Sequence, residues 1–239
     1  MVREKSKKVS PGTLLTFNIF TIFLQKKVLK ERYGKQKTKI WLKRSREIFK
    51  SLYPRIPDIG GKENYLYKNL EMATFLMPIA IIMKEEGIPT RDIGKHLFDL
   101  SINAFKVFLP LAKKISFHEE NQIIKMKMAA ERSLQRTYPD DWVFEFVEGG
   151  GDYLYGYDIK ECALCKFWGD QGLEDLVPYM CLTDWAKWEL MEVGVERTMT
   201  IANGHEVCDF RYCRHKKILP SGWPPESNIE WTGTFEKNQ

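Results

Sequence analysis

The sequence predicts an α+β fold in which a helix-rich N-terminal half packs on an antiparallel sheet formed by two hairpins with two helices between them. Three observations predict it. Apolar residues recur at helical spacing as far as Arg136, the pattern turns to strand-like alternation after Tyr138-Pro139, and glycine or Asn-Gly turns separate the alternating runs. With 44% hydrophobic residues and 13% aromatics over 239 positions, the chain can fill a real interior, which excludes disorder over most of its length.

Pro11-Gly12-Thr13 opens a helix that Gly34 can end, and a second runs from about Lys37 to Tyr53, stopped by Pro54 and Pro57. Residues 54–64, with Gly60-Gly61, form a loop. Between Leu66 and Met83 the apolar positions become continuous after Phe75, as in a helix buried all round, with Pro78 bending or restarting it and Gly87 closing it. Thr90 caps the next helix, whose Leu97, Leu100, Ala104, Phe108 and Leu111 form a one-sided stripe. Ser116-Phe117-His118-Glu119 is a capping box for a helix to about Arg136, in which Ile123, Ile124, Met126 and Met128 read as packing residues.

Trp142 to Glu148 and Tyr153 to Tyr157 then read as strands joined across Gly149-Gly150-Gly151. That run lacks the Lys-Ser/Thr of a phosphate loop and the following helix of a dinucleotide site, so it reads as a hairpin tip, with a flap over a substrate as the functional alternative. Asp158-Ile159-Lys160-Glu161 repeats the capping-box pattern and starts a helix carrying Cys162 and Cys165. Gly169 and Gly172 end it, and a second helical segment carries Cys181, Asp184, Trp185 and Trp188. Val195 to Ile201, the turn Asn203-Gly204 and Val207 to Cys213 make the second hairpin. The expected organisation is a basic helical arm over 1–60, an α+β domain over 61–214 and an irregular tail over 215–239, whose Trp223 and Trp231 mark it as docked.

Net charge is only +5, yet residues 1–50 hold fifteen Lys and Arg against three Glu, so this segment carries +12 and the remainder −7. Such an arm reads first as a solvated helical face. Nucleic acid is disfavoured, because no zinc-finger spacing, RNA-binding signature or second basic block accompanies it, and contact with an acidic membrane face stays as a peripheral alternative. The apolar run Leu14 to Leu24 contains Thr16, Asn18 and Thr21, meets Gln25-Lys26-Lys27 in place of a cleavage site, and is shorter than the roughly 20 residues of a bilayer span. All five cysteines fall between Cys162 and Cys213, and an odd count without a secretion signal predicts free thiols and a cytoplasmic location.

The second hairpin shows two faces by alternation. Val195, Arg197, Met199 and Ile201 share a side with Cys208, Phe210 and Tyr212, while Glu196, Thr198, Thr200, Asp209 and Arg211 share the other. Arg197 is the misfit on an apolar face and needs a carboxylate or an anionic ligand, unless it snorkels from a sheet end. Glu196 and Arg211 could form a solvated cross-strand ion pair. Cys162 and Cys165 make one Cys-x-x-Cys doublet, with Ala-Leu where redox pairs that follow a strand carry Gly-Pro or similar, so inert buried thiols are the stronger reading. Adding Cys181, Cys208, Cys213, His205 and His215 does not supply a second close-spaced doublet, so neither a metal nor any other cofactor is expected. Cys181 and Asp184 lie three apart on one helix and point the same way.

Four blocks in order, Tyr157-Asp158-Ile159-Lys160-Glu161-Cys162-Ala163, Cys181-Leu182-Thr183-Asp184, Arg197-Thr198-Met199-Thr200-Ile201-Ala202-Asn203-Gly204 and Cys208-Asp209-Phe210-Arg211-Tyr212, resemble the L-2-amino-thiazoline-4-carboxylic acid hydrolase family. The resemblance covers about residues 142–214, with the helical region from about residue 65 belonging to the same domain. It implies hydrolytic opening of a small cyclic amidine, the 2-aminothiazoline ring, at a C–N or C–S bond. Carried over to matching positions, it implies Cys181, Asp184, Cys208 and Asp209 as catalytic residues and Arg197, Thr198 and Cys162 as substrate-binding residues; Cys165 and Cys213 fall outside the pattern. The partner would be a carboxylated small molecule, with Arg197 as its anchor. The rival from another class is a non-catalytic domain of the same fold that binds a small molecule or a partner protein.

Overall fold

Ser10 sets the start of the first helix: its side-chain oxygen accepts the Thr13 amide at 3.0 Å, and Pro11 follows where no amide partner is needed. The computed structural model of the protein describes residues 9–112, 119–213 and 222–236. Helix α1 (Pro11–Phe20) continues through a π-helical turn, Thr21–Gln25, into α2 (Lys26–Leu52). Gly34 breaks α2 with φ 77°, a left-handed conformation that glycine adopts without strain, at the position where the sequence predicts an end.

These helices are not a peripheral arm. Phe17 stacks on Phe49 with ring centroids 3.9 Å apart, both rings meet Phe75 edge-on, and Leu29 and Trp41 are also buried in the one core that runs through to the sheet. The basic side chains point outward from the same helices, so a charge boundary near residue 60 is not a packing boundary. The loop with Gly60-Gly61 is pinned as well. Asn64 donates to the Ile59 carbonyl (2.6 Å) and to Asp141 (2.8 Å), and Arg132 reaches both of these groups.

Helices α3 (Tyr67–Thr74) and α4 (Met77–Glu85) divide the continuous apolar stretch, and Pro78 restarts the helix in its first turn. In α5 (Thr90–Ala112), Leu97 and Leu100 are fully buried, and Thr90 donates its hydroxyl to Asp175. Along α6 (Glu119–Leu134), Met126 is buried while Ile124 and Met128 are exposed, so only part of the expected packing set packs. Ser116, Phe117, His118, His215 and the side chains of Phe108, Leu111 and Glu119 lie outside the described residues.

Four strands, β1 (Val143–Gly150), β2 (Tyr153–Glu161), β3 (Val195–Glu196) and β4 (Cys208–Cys213), form an antiparallel sheet in the order β1-β2-β4-β3. The expected capping box at 158–161 is strand instead. Asp158 faces Glu145 on one side and Asp209 on the other, and a strand paired along both edges satisfies more backbone groups than a local cap can. Helix α7 (Ala163–Gly169) therefore starts directly at the end of β2, with Cys162 as its cap residue, and α8 (Val177–Met191) follows.

The second hairpin keeps its predicted faces where it pairs, at Val195 and Glu196, and loses the rest of its first strand: Thr200, expected to share a face with Asp209, is fully buried at the start of a 3-10 turn over Ile201–Asn203. Val195 lies opposite Tyr212 and Glu196 opposite Arg211, after which the Asp209 carboxylate captures the amides of Thr198 (2.8 Å) and Met199 (2.6 Å) and diverts the chain. Arg211 pairs with Asp158 at 2.7 Å, while Glu196 accepts from the Tyr153 hydroxyl, so no Glu196–Arg211 pair forms. Among the described residues no helix is long and apolar enough to cross a membrane.

Candidate active site

The register between β2 and β4 places Tyr155 opposite Tyr212, Tyr157 opposite Phe210 and Ile159 opposite Cys208, all on one face. Helix α8 covers this face: Trp188 meets Phe210 and Tyr212 edge-on at 5.8 and 6.4 Å. Cys162 at the start of α7, Cys165 one turn later, Cys181 on α8 and Cys208 on β4 lie close enough to alter one another's ionisation.

The four thiols are not equivalent. A hydrogen bond from the Cys165 thiol, opposed by burial and helped by the nearby amides of Cys165 and Leu164 and the Trp142 side chain, brings Cys162 down from about 9 to about 7. Its sulfur sits beside those amides without a fully formed capping bond. The same contact holds Cys165 in its protonated form. Burial pushes Cys181 well up and Cys208 to about 12, and the Cys208 sulfur accepts the Ile201 amide at 3.2 Å. Burial, then the neighbouring Tyr212, raises the Tyr157 hydroxyl, which lies 3.2 Å from that of Tyr212. At neutral pH the site thus contains one thiolate-prone sulfur among neutral thiols and phenols.

Arg197 is fully buried, and its guanidinium lies over the rings of Trp185, Trp188 and Phe210 at 5.0–5.4 Å. Its partners are inside the protein. Nε donates to Glu230 at 2.6 Å, Nη2 to Glu230 at 2.7 Å and to the Cys181 carbonyl at 2.8 Å, and Nη1 to Asp184 at 2.8 Å. Burial opposes its charge, but Glu230 and then Asp184 more than offset this, so it stays a cation. Four of its five N–H donors are engaged, and the carboxylate that the apolar face demanded is supplied by the chain.

Cys162, Cys181, Asp184, Arg197 and Cys208 are therefore brought together, whereas Thr198 and Asp209 are not. Asp209 pairs with Asp158 in register on the opposite face of the sheet, and its oxygens accept the Thr198 hydroxyl (2.6 Å) and the two amides that shape the chain after β3. Sequence reasoning missed Glu230, fully buried in the segment after residue 222 and also holding the Trp185 indole N–H at 3.1 Å. Its signal was a lone acid between Ile229 and Trp231, matched to a cation stranded on an apolar face. A cavity of about 550 Å³ opens elsewhere along α8, lined among others by Arg32, Lys95, Phe98, Glu189 and Trp223, and no cysteine borders it. Among the described residues, no group of three or more His, Cys, Asp or Glu is arranged to hold a metal ion.

A helix-covered antiparallel sheet with a buried Arg–carboxylate cluster beside four cysteines defines this as an α+β domain. The family model of L-2-amino-thiazoline-4-carboxylic acid hydrolase matches residues 72–212, more than half of the chain, and the protein belongs to that family. The match includes the four clustered cysteines, Asp184 and Arg197, and stops short of Glu230. No curated protein and no solved structure matches the chain.

Proposed function

We propose that this chain is a hydrolase that opens a small cyclic amidine, 2-aminothiazoline-4-carboxylate or a close relative, by cleaving a C–S or C–N bond at the amidine carbon. The observation that supports it best is the convergence of Cys162, Cys181, Cys208, Asp184 and Arg197 on one face of the sheet. In this reading Cys162, the thiol nearest to ionisation at neutral pH, adds to the carbon flanked by nitrogen and sulfur. The ring bond breaks as the leaving atom takes a proton, and a water molecule, deprotonated by Asp184, then displaces the Cys162 sulfur and leaves a carbamoyl product. Arg197 serves as a positioning residue that orients Asp184, while Cys181 and Cys208 stay protonated and line the site. Thr198 and Asp209 brace the chain after β3.

The test is turnover of 2-aminothiazoline-4-carboxylate by the purified protein, with free thiol reporting C–S cleavage and ammonia or amine reporting C–N cleavage. Cys162→Ser should remove at least roughly 10³-fold of the rate. Asp184→Asn should remove about 10²-fold. Cys181→Ser should keep most of it. Thermal stabilisation by such a compound without turnover of any cyclic amidine would instead establish the binding-domain alternative.

A further inference from the structure

We propose that Cys162 and Cys165 form a redox-active dithiol that small-molecule disulfides convert to an intrachain disulfide. The pair gains its geometry from the strand-to-helix junction. Because β2 runs to Glu161, Cys162 takes the cap position of α7 with an extended backbone (φ −116°, ψ 116°), and Cys165 is the third residue of the helix. A cap residue and the third residue of its helix are spatial neighbours, the relation a capping box uses, and here both are cysteines. The two side chains are therefore neighbours, close enough to alter each other's ionisation in opposite directions. Both residues are half-buried and both are free thiols.

The two positions divide the labour of an exchange reaction. Cys162 is the attacking sulfur: its thiolate displaces one sulfur of a disulfide R–S–S–R, forming a Cys162–S–S–R bond and releasing R–S⁻. The hydrogen bond that favoured the Cys162 thiolate and held the proton on Cys165 is then gone. Cys165 loses its proton to solvent and attacks the Cys162 sulfur, releasing the second R–S⁻ and closing the 162–165 disulfide. The protein loses two protons and two electrons, which reduce one disulfide to two thiols. None of these steps requires the hydrolase reading.

The experiment uses the full chain in buffers of reduced and oxidised glutathione, quenched with acid and alkylated. Lys160 and Lys166 flank the pair, so trypsin releases both cysteines in one short peptide, residues 161–166, whose mass reports the loss of two hydrogens directly. The expected result is oxidation of that peptide ahead of Cys181, Cys208 and Cys213. Cys165→Ser should trap a glutathione adduct on Cys162, at a rate that rises with pH as the Cys162 thiolate forms, and Cys162→Ser should leave Cys165 unmodified. A wild-type chain that accumulates a stable adduct on Cys162, forms its first disulfide at another pair, or stays reduced in pure oxidised glutathione would overturn the proposal. The wild-type peptide map carries the decision even if a variant fails to fold.

Discussion

Replacing Glu230 with Gln isolates what the buried Arg197 cluster is worth. Glu230 Oε1 accepts both Arg197 Nη2 (2.7 Å) and the Trp185 indole (3.1 Å), while Oε2 accepts Arg197 Nε (2.6 Å). A glutamine can keep the first two bonds, but its amide NH₂ must then face the Nε–H, donor against donor, in a site with no exposure. Removing one partner of a buried ion pair costs about 3–5 kcal/mol. Asp184 remains bonded to Arg197 and its side chain is 32% exposed, so water and a second carboxylate soften the loss, and we expect about 3 kcal/mol. For a chain of this size that lowers Tm by roughly 6–12 °C. Urea denaturation followed by tryptophan fluorescence measures it, and the double variant Arg197→Met/Glu230→Leu should recover most of the loss, because the two fully buried charges leave together and the carboxylate that remains, Asp184, is 32% exposed and 3.7 Å from Lys187. A Glu230→Gln loss below about 1 kcal/mol would refute the view that this pair carries an uncompensated charge when broken.

Phe49→Ala should cost about 3–5 kcal/mol in a single cooperative transition, since Phe49 is fully buried between Phe17 and Phe75; a separate low-stability transition would mean that the basic helices fold as an independent arm. His96 is fully buried with no hydrogen-bond partner on either ring nitrogen among the described residues, and burial, then Arg32, holds its pKa down to about 4 against the pull of Asp99. The unfolded chain takes up that proton near 6.5, so stability is full above pH 6.5 and falls by on the order of 3 kcal/mol as pH drops to 4; chemical denaturation across this range should show a flatter slope for His96→Leu. At Gly94 an added Cβ would lie 2.3 Å from the Tyr179 ring where α5 and α8 approach, so Gly94→Ala should lower stability by about 1–3 kcal/mol despite the better helix propensity of alanine, and a stabilised variant would contradict that close contact.

Much of the architecture is legible because punctuation is local physics. Pro11, Gly34 and Pro78 act where they stand, and the change of period after Pro139 marks the sheet. Alternation assigned Val195 and Tyr212 to one face even though β3 turned out only two residues long, since facing depends on register and not on strand length. Misreadings arose where a local signal met a distant one. Asp158 to Glu161 spells a helix cap, worth about 1 kcal/mol, but β1 and β4 supply ladders on both sides of it. Segregation of charge along the chain likewise gave no warning that Phe17, Trp41 and Phe49 turn inward from the same helices that present Lys and Arg to solvent. Glu230 was harder to read, because the lone acid between Ile229 and Trp231 does not itself say which cation, 33 residues earlier, it meets.

That separation makes the end of the chain part of the buried cluster. A chain that stopped before Glu230 would still hold Arg197 between Asp184 and the Cys181 carbonyl, under the rings of Trp185, Trp188 and Phe210, but would lack its fully buried counter-ion. A buried cation left with one part-exposed carboxylate is costly, so trimming the segment after residue 222 should destabilise the sheet and α8 even though the family match ends at residue 212.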